Sequence, residues 1–223
     1  VNANDYNVLQ NRKRLIIIAL NKEKFKEYDI QKILIDFYES ILPHYQSSKH
    51  LTVKDAIGDL PACMPIENNF KKRVSHSTPE CKLSWQKPRY HSLRDEDTFR
   101  LLADDLASGK KEYDSKKITE LYEEKVGSKS PIHRYHVPDP NLPSTTIIAH
   151  LYKDGNRFIH YDPKQMRSIT PREAARLQSF ADDFEFYGAM GKVYEMIGNA
   201  VPSQLAKALA LAVNDFLKKY KMN

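Results

Sequence analysis

The amino-acid sequence predicts an α+β fold on three observations: an unbroken apolar run near the start, later segments repeating apolar residues every three to four positions, and a polar, irregular middle. The run, residues 15–20, is rich in isoleucine and suits a strand buried on both faces, as in a parallel sheet. Residues 24–42 then read as a helix, with Phe25, Tyr28, Ile33, Phe37 and Ile41 on one face and Pro43 as its stop. Residues 52–94 carry many Pro, Asn and Ser and read mostly as loop. Two helices follow, near 95–107 and 115–126, with Gly109 and Gly127 just past their ends, where a left-handed residue commonly stops a helix.

Residues 145–152 and 157–161 read as two strands joined at Asp154-Gly155, a strong hairpin signal. Thr170-Pro171-Arg172-Glu173 is a helix start: Thr170 and Glu173 satisfy each other's amides, and Pro171 stands where no amide is needed. A final helix is expected from about Pro202, its stripe formed by Leu205, Leu209, Val213, Phe216 and Tyr220, with alanines allowing close packing.

Charged residues make up 29% and hydrophobic ones 41%, ordinary for a soluble globular chain, and no apolar run is long enough to span a bilayer. With no signal segment at its start, the chain reads as cytoplasmic and bacterial. It opens at Val1 directly on motif-like residues, as a truncated or split protein would. Cys63 and Cys81 have neither C-x-x-C spacing nor histidine partners, so no metal site or disulfide is expected. Charge is segregated: residues 66–94 hold seven Lys/Arg against Glu67 and Glu80, whereas 95–126 hold six against ten acidic residues. A polyanion would be drawn to the first stretch, where Trp85 and Tyr90 lie among the cations and Phe70 is expected in the core.

Three segments carry more specific chemistry. Gln10, Arg12 and Arg14 alternate into the first strand, so their donors share a face suited to phosphate or a base edge. Around the predicted helix start, Arg167, Arg172, Glu173 and Arg176 read as a bracing charge network, with Glu173 and Arg176 close enough to pair across a turn. Gly198-Asn199 would set a polar amide at the N-terminus of the last helix, a place that favours an anionic ligand group.

In order and spacing these segments, residues 2–14, 167–180 and 196–202, resemble the eighth, ninth and tenth motifs of the DNA cytosine-5 methyltransferases. Residues 52–61 look like the linker that follows the eighth motif in those enzymes. The resemblance implies edge elements of an α/β S-adenosylmethionine-dependent methyltransferase domain plus a separate small target-recognition domain. Residues 1–22 would be the strand end of the catalytic domain, 23–166 the recognition region with a basic loop at 66–94 and a hairpin at 143–161, and 167–223 the last two motifs.

In the family a cysteine thiolate adds to carbon 6 of an extruded cytosine and S-adenosylmethionine methylates carbon 5; extrusion costs a few kcal/mol, roughly. Arg12 and Arg14 would hold the cytosine, and Asn199, Ala200 and Val201 the methionine end of the cofactor. Double-stranded DNA would meet Lys87, Arg89, Arg134 and Thr146. Ala181 stands where the family has proline, and Met196 where many members have glutamine. Phe-x-Gly-x-Gly, Pro-Cys and Glu-Asn-Val do not occur, so the nucleophile and most of the cofactor pocket are expected on a missing N-terminal half or subunit. The chain alone is expected to be inactive. The alternatives are the small subunit of a split methyltransferase and a non-catalytic sequence-specific DNA-binding protein. For an enzyme fragment, Gln10, Arg12, Arg14 and Asn199 must converge on one cleft edge.

Overall fold

The structure, a computed structural model, describes residues 1–128, 135–153 and 155–220. Arg134 and the Asp154 half of the expected turn lie outside the described residues. The helices are α1 (Ile30–Asp36), α2 (Val53–Ile57), α3 (Leu93–Ser108), α4 (Ser115–Val126), α5 (Pro171–Leu177), α6 (Met190–Asn199) and α7 (Ser203–Lys219). Between α2 and α3 lies one antiparallel hairpin, β1 (Pro65–Asn69) and β2 (Val74–His76), so the chain mixes helices with a small sheet.

Local chemistry explains the helix limits. The α5 start has the expected reciprocal cap: the Glu173 amide donates to Thr170 and the Thr170 amide to Glu173. Thr52 and Asp55 cap α2 in the same way, inside a stretch expected to be loop. Gly109 and Gly127 take φ of 72° and 74° and close α3 and α4. The helix expected over 24–42 starts only at Ile30, where Asp29 accepts from two amides, and past Asp36 it loosens into a wider turn over Phe37–Ile41.

Two sequence expectations fail. Residues 15–20 lie in no ladder and, among the described residues, are bonded only through Tyr38, whose hydroxyl receives the Ile18 amide and donates to the Ile16 carbonyl. Ile18 and Leu20 pack inward, whereas Leu15 and Ile17 are 84% and 79% exposed, so one face is buried rather than two. The hairpin at 145–161 does not form either. Ala149–Tyr152 and Gly155–Arg157 are short 3-10 turns, and Ile159 bridges Ser168 instead, because Ile147, Leu151 and Phe158 all fold into the core beneath α5 and α6.

The apolar interior has three parts. One joins α2, α5, α6 and residues 147–158; one wraps α7 with α1 and residues 3–8; the third holds α3 and α4 around Phe99 and Tyr135. On α7 the buried stripe is Leu205, Ala208, Ala212 and Phe216, and Val213, expected inside, faces out. The alanines let the residue 3–8 turn approach closely. No helix of the described residues is long and apolar enough to cross a membrane.

Candidate functional site

Residues 8–14 run along the end of the core and are held at both sides. The Asn11 amide donates to the Ser144 carbonyl at 2.8 Å and the Ala3 amide to the Arg12 carbonyl at 2.9 Å. Gln10 is fully buried. Its amide nitrogen donates to the Leu177 carbonyl and to Gln178, and its oxygen accepts from the Ile147 amide, each at 2.9 Å. Gln178 continues the relay to the Ile197 carbonyl at 2.6 Å.

Two residues on, Arg12 is 6% exposed and donates to the Ile147 carbonyl at 2.7 Å and to the Gly198 and Ala200 carbonyls, both at 3.4 Å. Burial and the neighbouring Arg14 push its pKa down, a cost that three carbonyls offset. Arg14 is exposed and returns one bond to the Lys13 carbonyl. The structure thus brings Gln10, Arg12 and the backbone around Asn199 together across 187 positions or so of sequence, and leaves Arg14 at the rim.

Gly198 and Asn199 finish α6 rather than start α7, whose cap is Pro202. A Cβ on Gly198 would lie 2.4 Å from the Ala149 nitrogen and the Ile148 carbonyl carbon, so only glycine permits this approach. The turn exposes Asn199 and Val201 and leaves Ala200 half-buried, with Met196 also outward. Asn199 thus stands exposed on a backbone that Arg12 clamps through the Gly198 and Ala200 carbonyls. A cavity of about 820 Å³ lies elsewhere, between α2 and the start of α7, and is lined by Leu9, Asp55, Arg176, Phe180 and Gln204.

Behind this edge lies the charge network. Arg167 and Glu173 are buried and form a two-pronged pair at 2.7 Å on each side. Burial alone would raise the Glu173 pKa, but Arg167, with help from His160 and the Thr170 amide, holds it at about 2. Arg172 is equally buried and binds Ser84 and the Ala181 and Phe184 carbonyls. Arg176 does not pair with Glu173, which Arg167 already occupies; it reaches Asp182 and Asp59 and ties α5 to the end of α2. The nearby Cys63 is fully buried and its thiol is pushed up to about 11, chiefly by burial, so it stays protonated near neutrality.

The remaining candidates are scattered. Thr146 donates to the Asn11 carbonyl at 2.8 Å. Arg89 donates to the Leu151 carbonyl at 2.8 Å and its guanidinium lies 4.4 Å over the Tyr194 ring. Lys87 is exposed. Trp85 donates to the Phe186 carbonyl at 2.8 Å and packs on the core, Tyr90 is half-buried, and Phe70, expected inside, is 77% exposed. Sequence reasoning missed Gln178, since a lone glutamine gives no signal, and placed Gly198 at the start of the last helix rather than at a close backbone approach. Among the described residues, no group of three or more His, Cys, Asp or Glu is placed to hold a metal ion.

Fold and site together define a mixed helical chain whose N-terminal segment, residues 8–14, is locked by its own polar side chains to two helix ends from the far end of the sequence. The chain belongs to the C-5 cytosine-specific DNA methylase family, matched over residues 1–215. It is 27% identical over 96% of its length to the type II methyltransferase M.Bpa9945I of Bacillus paralicheniformis, covering 49% of that protein. It is 28% identical over 98% of its length to M.MthTI of Methanothermobacter thermautotrophicus, covering 56%, and 29% identical over 96% to M1.HphI of Haemophilus parahaemolyticus, covering 46%. The chain therefore spans about half the length of the relatives it matches.

Proposed function

We propose that this chain is the DNA-reading and cytosine-side portion of an enzyme that methylates carbon 5 of cytosine in duplex DNA, and that alone it is inactive. The supporting observation is the half-exposed apolar run at residues 15–20: Leu15 and Ile17 are bare, and no other backbone pairs with the run among the described residues. An apolar run whose backbone is bonded only in part, through Tyr38, is a pairing surface. A second apolar stripe on α7, with Ala210, Val213 and Leu217 outward, offers a further face for the cysteine-bearing part, whether that is the missing N-terminal half or a separate subunit.

Residues 1–22 and 167–223 then complete the catalytic domain and 23–166 serve recognition. Arg14, exposed beside the clamp, reaches toward the extruded cytosine; Arg12 fixes the backbone that presents Asn199, Ala200 and Val201 to the cofactor. S-adenosylmethionine would supply the methyl group, held mainly by the missing part. Lys87 and Arg134 supply salt-sensitive attraction to DNA, Arg89 and Thr146 shape the surface there. Cys63, protonated and enclosed, cannot serve as nucleophile.

The test is methyl transfer from radiolabelled S-adenosylmethionine to duplex DNA, with and without a separately produced Pro-Cys-bearing half. Activity is expected only in the mixture. Transfer by the chain alone, abolished by Cys63→Ala or Cys81→Ala, would overturn the reading.

A further inference from the structure

The β1–β2 hairpin is anchored at its base and bare at its tip. At the base, His76 and Ser75 are buried: the His76 ring sits 2.8 Å from the Gln165 carbonyl, and Ser75 accepts from the His91 amide at 3.0 Å. The strands therefore stand on the same buried network that holds Arg167 and Glu173. At the tip, Phe70, Lys71, Lys72 and Arg73 are all exposed, with Phe70 at 77%. The turn is closed by hydrogen bonds: the Lys72 amide donates to Asn69 Oδ1 at 3.0 Å and the Arg73 amide to the Phe70 carbonyl at 3.2 Å.

None of these bonds needs an aromatic ring at position 70 or a cation at 73. Arg73 takes φ of 51°, a backbone state in which glycine would be unstrained. Its guanidinium lies 5.7 Å from the Tyr90 ring centre, and Phe70 meets the same ring edge-on at 6.4 Å, so Tyr90 props both side chains from below. Among the described residues no carboxylate stands within ion-pair distance of Lys71, Lys72 or Arg73. Three cations without an ion-pair partner among the described residues, around a propped apolar ring on a hairpin anchored at its base, match a ligand with closely spaced anions and flat apolar faces. Duplex DNA has both.

We propose that this tip is a DNA wedge: Lys71, Lys72 and Arg73 straddle the backbone phosphates while Phe70 presses between base pairs at a flexible step. The inference rests on the proposed role in reading DNA and adds the element and the residue that would distort it. Wedging by an apolar side chain unstacks a step and is repaid by the contacts the bend permits. The two kinds of contact have separate signatures. Each lost phosphate contact lowers the salt dependence of binding by close to one, roughly, whereas loss of a stacking ring lowers affinity about tenfold with the salt dependence unchanged.

The experiment measures affinity of the chain for a fluorescent mixed-sequence duplex across a salt series, with bending followed by energy transfer between dyes at its two ends. Circular dichroism confirms that each variant is folded. The expected result is that F70A binds about tenfold more weakly at every salt concentration and loses the bend, F70W retains both, and K71Q/K72Q flattens the salt dependence. If the unaltered chain binds DNA but F70A matches it in affinity and bend, the wedge is wrong and the DNA-reading role stands. If the unaltered chain ignores DNA, or prefers phosphatidylserine vesicles through the same tip, both fall.

Discussion

Acidification from pH 6.5 to 4 should destabilise this protein, and His160 allows the size of the effect to be worked out. Its side chain is 4% exposed, stacked on Tyr161 at 4.7 Å and 3.8 Å from Glu173, with Arg167 and Asp162 as its other charged neighbours. Burial first, then Arg167, pushes its pKa from 6.5 down to about 4, against the opposite pull of Glu173 and Asp162. The unfolded chain therefore takes up a proton near pH 6.5 that the folded chain refuses until about 4, so stability is complete above 6.5 and declines as the pH falls through that window. The gap corresponds to about 3 kcal/mol, a large share of a typical folding free energy of roughly 5–15 kcal/mol. His76, lowered to about 4 mainly by burial, and His91, also held well below the usual histidine range mainly by burial, act in the same direction. Glu173 adds its own loss only below pH 4.5, as the pH drops toward its folded value of about 2. Urea midpoints by circular dichroism at pH 7, 6, 5 and 4, in rough steps of one, would trace the decline. H160Q, neutral at every pH, should flatten the curve by about 3 kcal/mol between 6.5 and 4. A variant with the native slope, or a native protein equally stable at 6.5 and 4.5, would refute the reasoning.

Other perturbations give sharp outcomes. G198A forces a Cβ into the backbone of Ile148 and Ala149, and should cost about 2–4 kcal/mol in urea unfolding, since neither contact is a flexible side chain. R12M strips three carbonyls of their donor and should destabilise by about 3 kcal/mol, whereas R14M, with one exposed bond, should leave stability unchanged and act only on methyl transfer by the reconstituted enzyme. L15D/I17D alters two exposed positions, so the isolated chain should fold normally while restoration of activity by the cysteine-bearing half is lost. An undiminished mixture would show that this strand is not the joining edge.

Much of the local structure could be read from the residues. Caps and left-handed glycines obey rules spanning four or five positions, so the Thr170 start and the stops at Gly109 and Gly127 stand where sequence places them. Partner choice over distance was not legible. Glu173 was expected to pair with Arg176 on its own helix, but a guanidinium six residues away is buried with it, and removal from water makes that pair the stronger. The Asp154-Gly155 turn signal was overridden because Leu151 and Phe158 gain more by entering the core under α6 than a two-stranded ribbon would have gained.

By itself the sequence determined the family, the caps of α3, α4 and α5 and the residue types at the two chain ends that had to meet; these are set by neighbours along the chain or by motifs kept in order. Only the tertiary structure decided that Arg12 turns inward to clasp Gly198 and Ala200, that Phe70 stands in water on a basic tip, and that Leu15 and Ile17 face nothing. Burial is a property of the whole packed chain, and a side chain's surroundings in space are not encoded by its distance along the backbone.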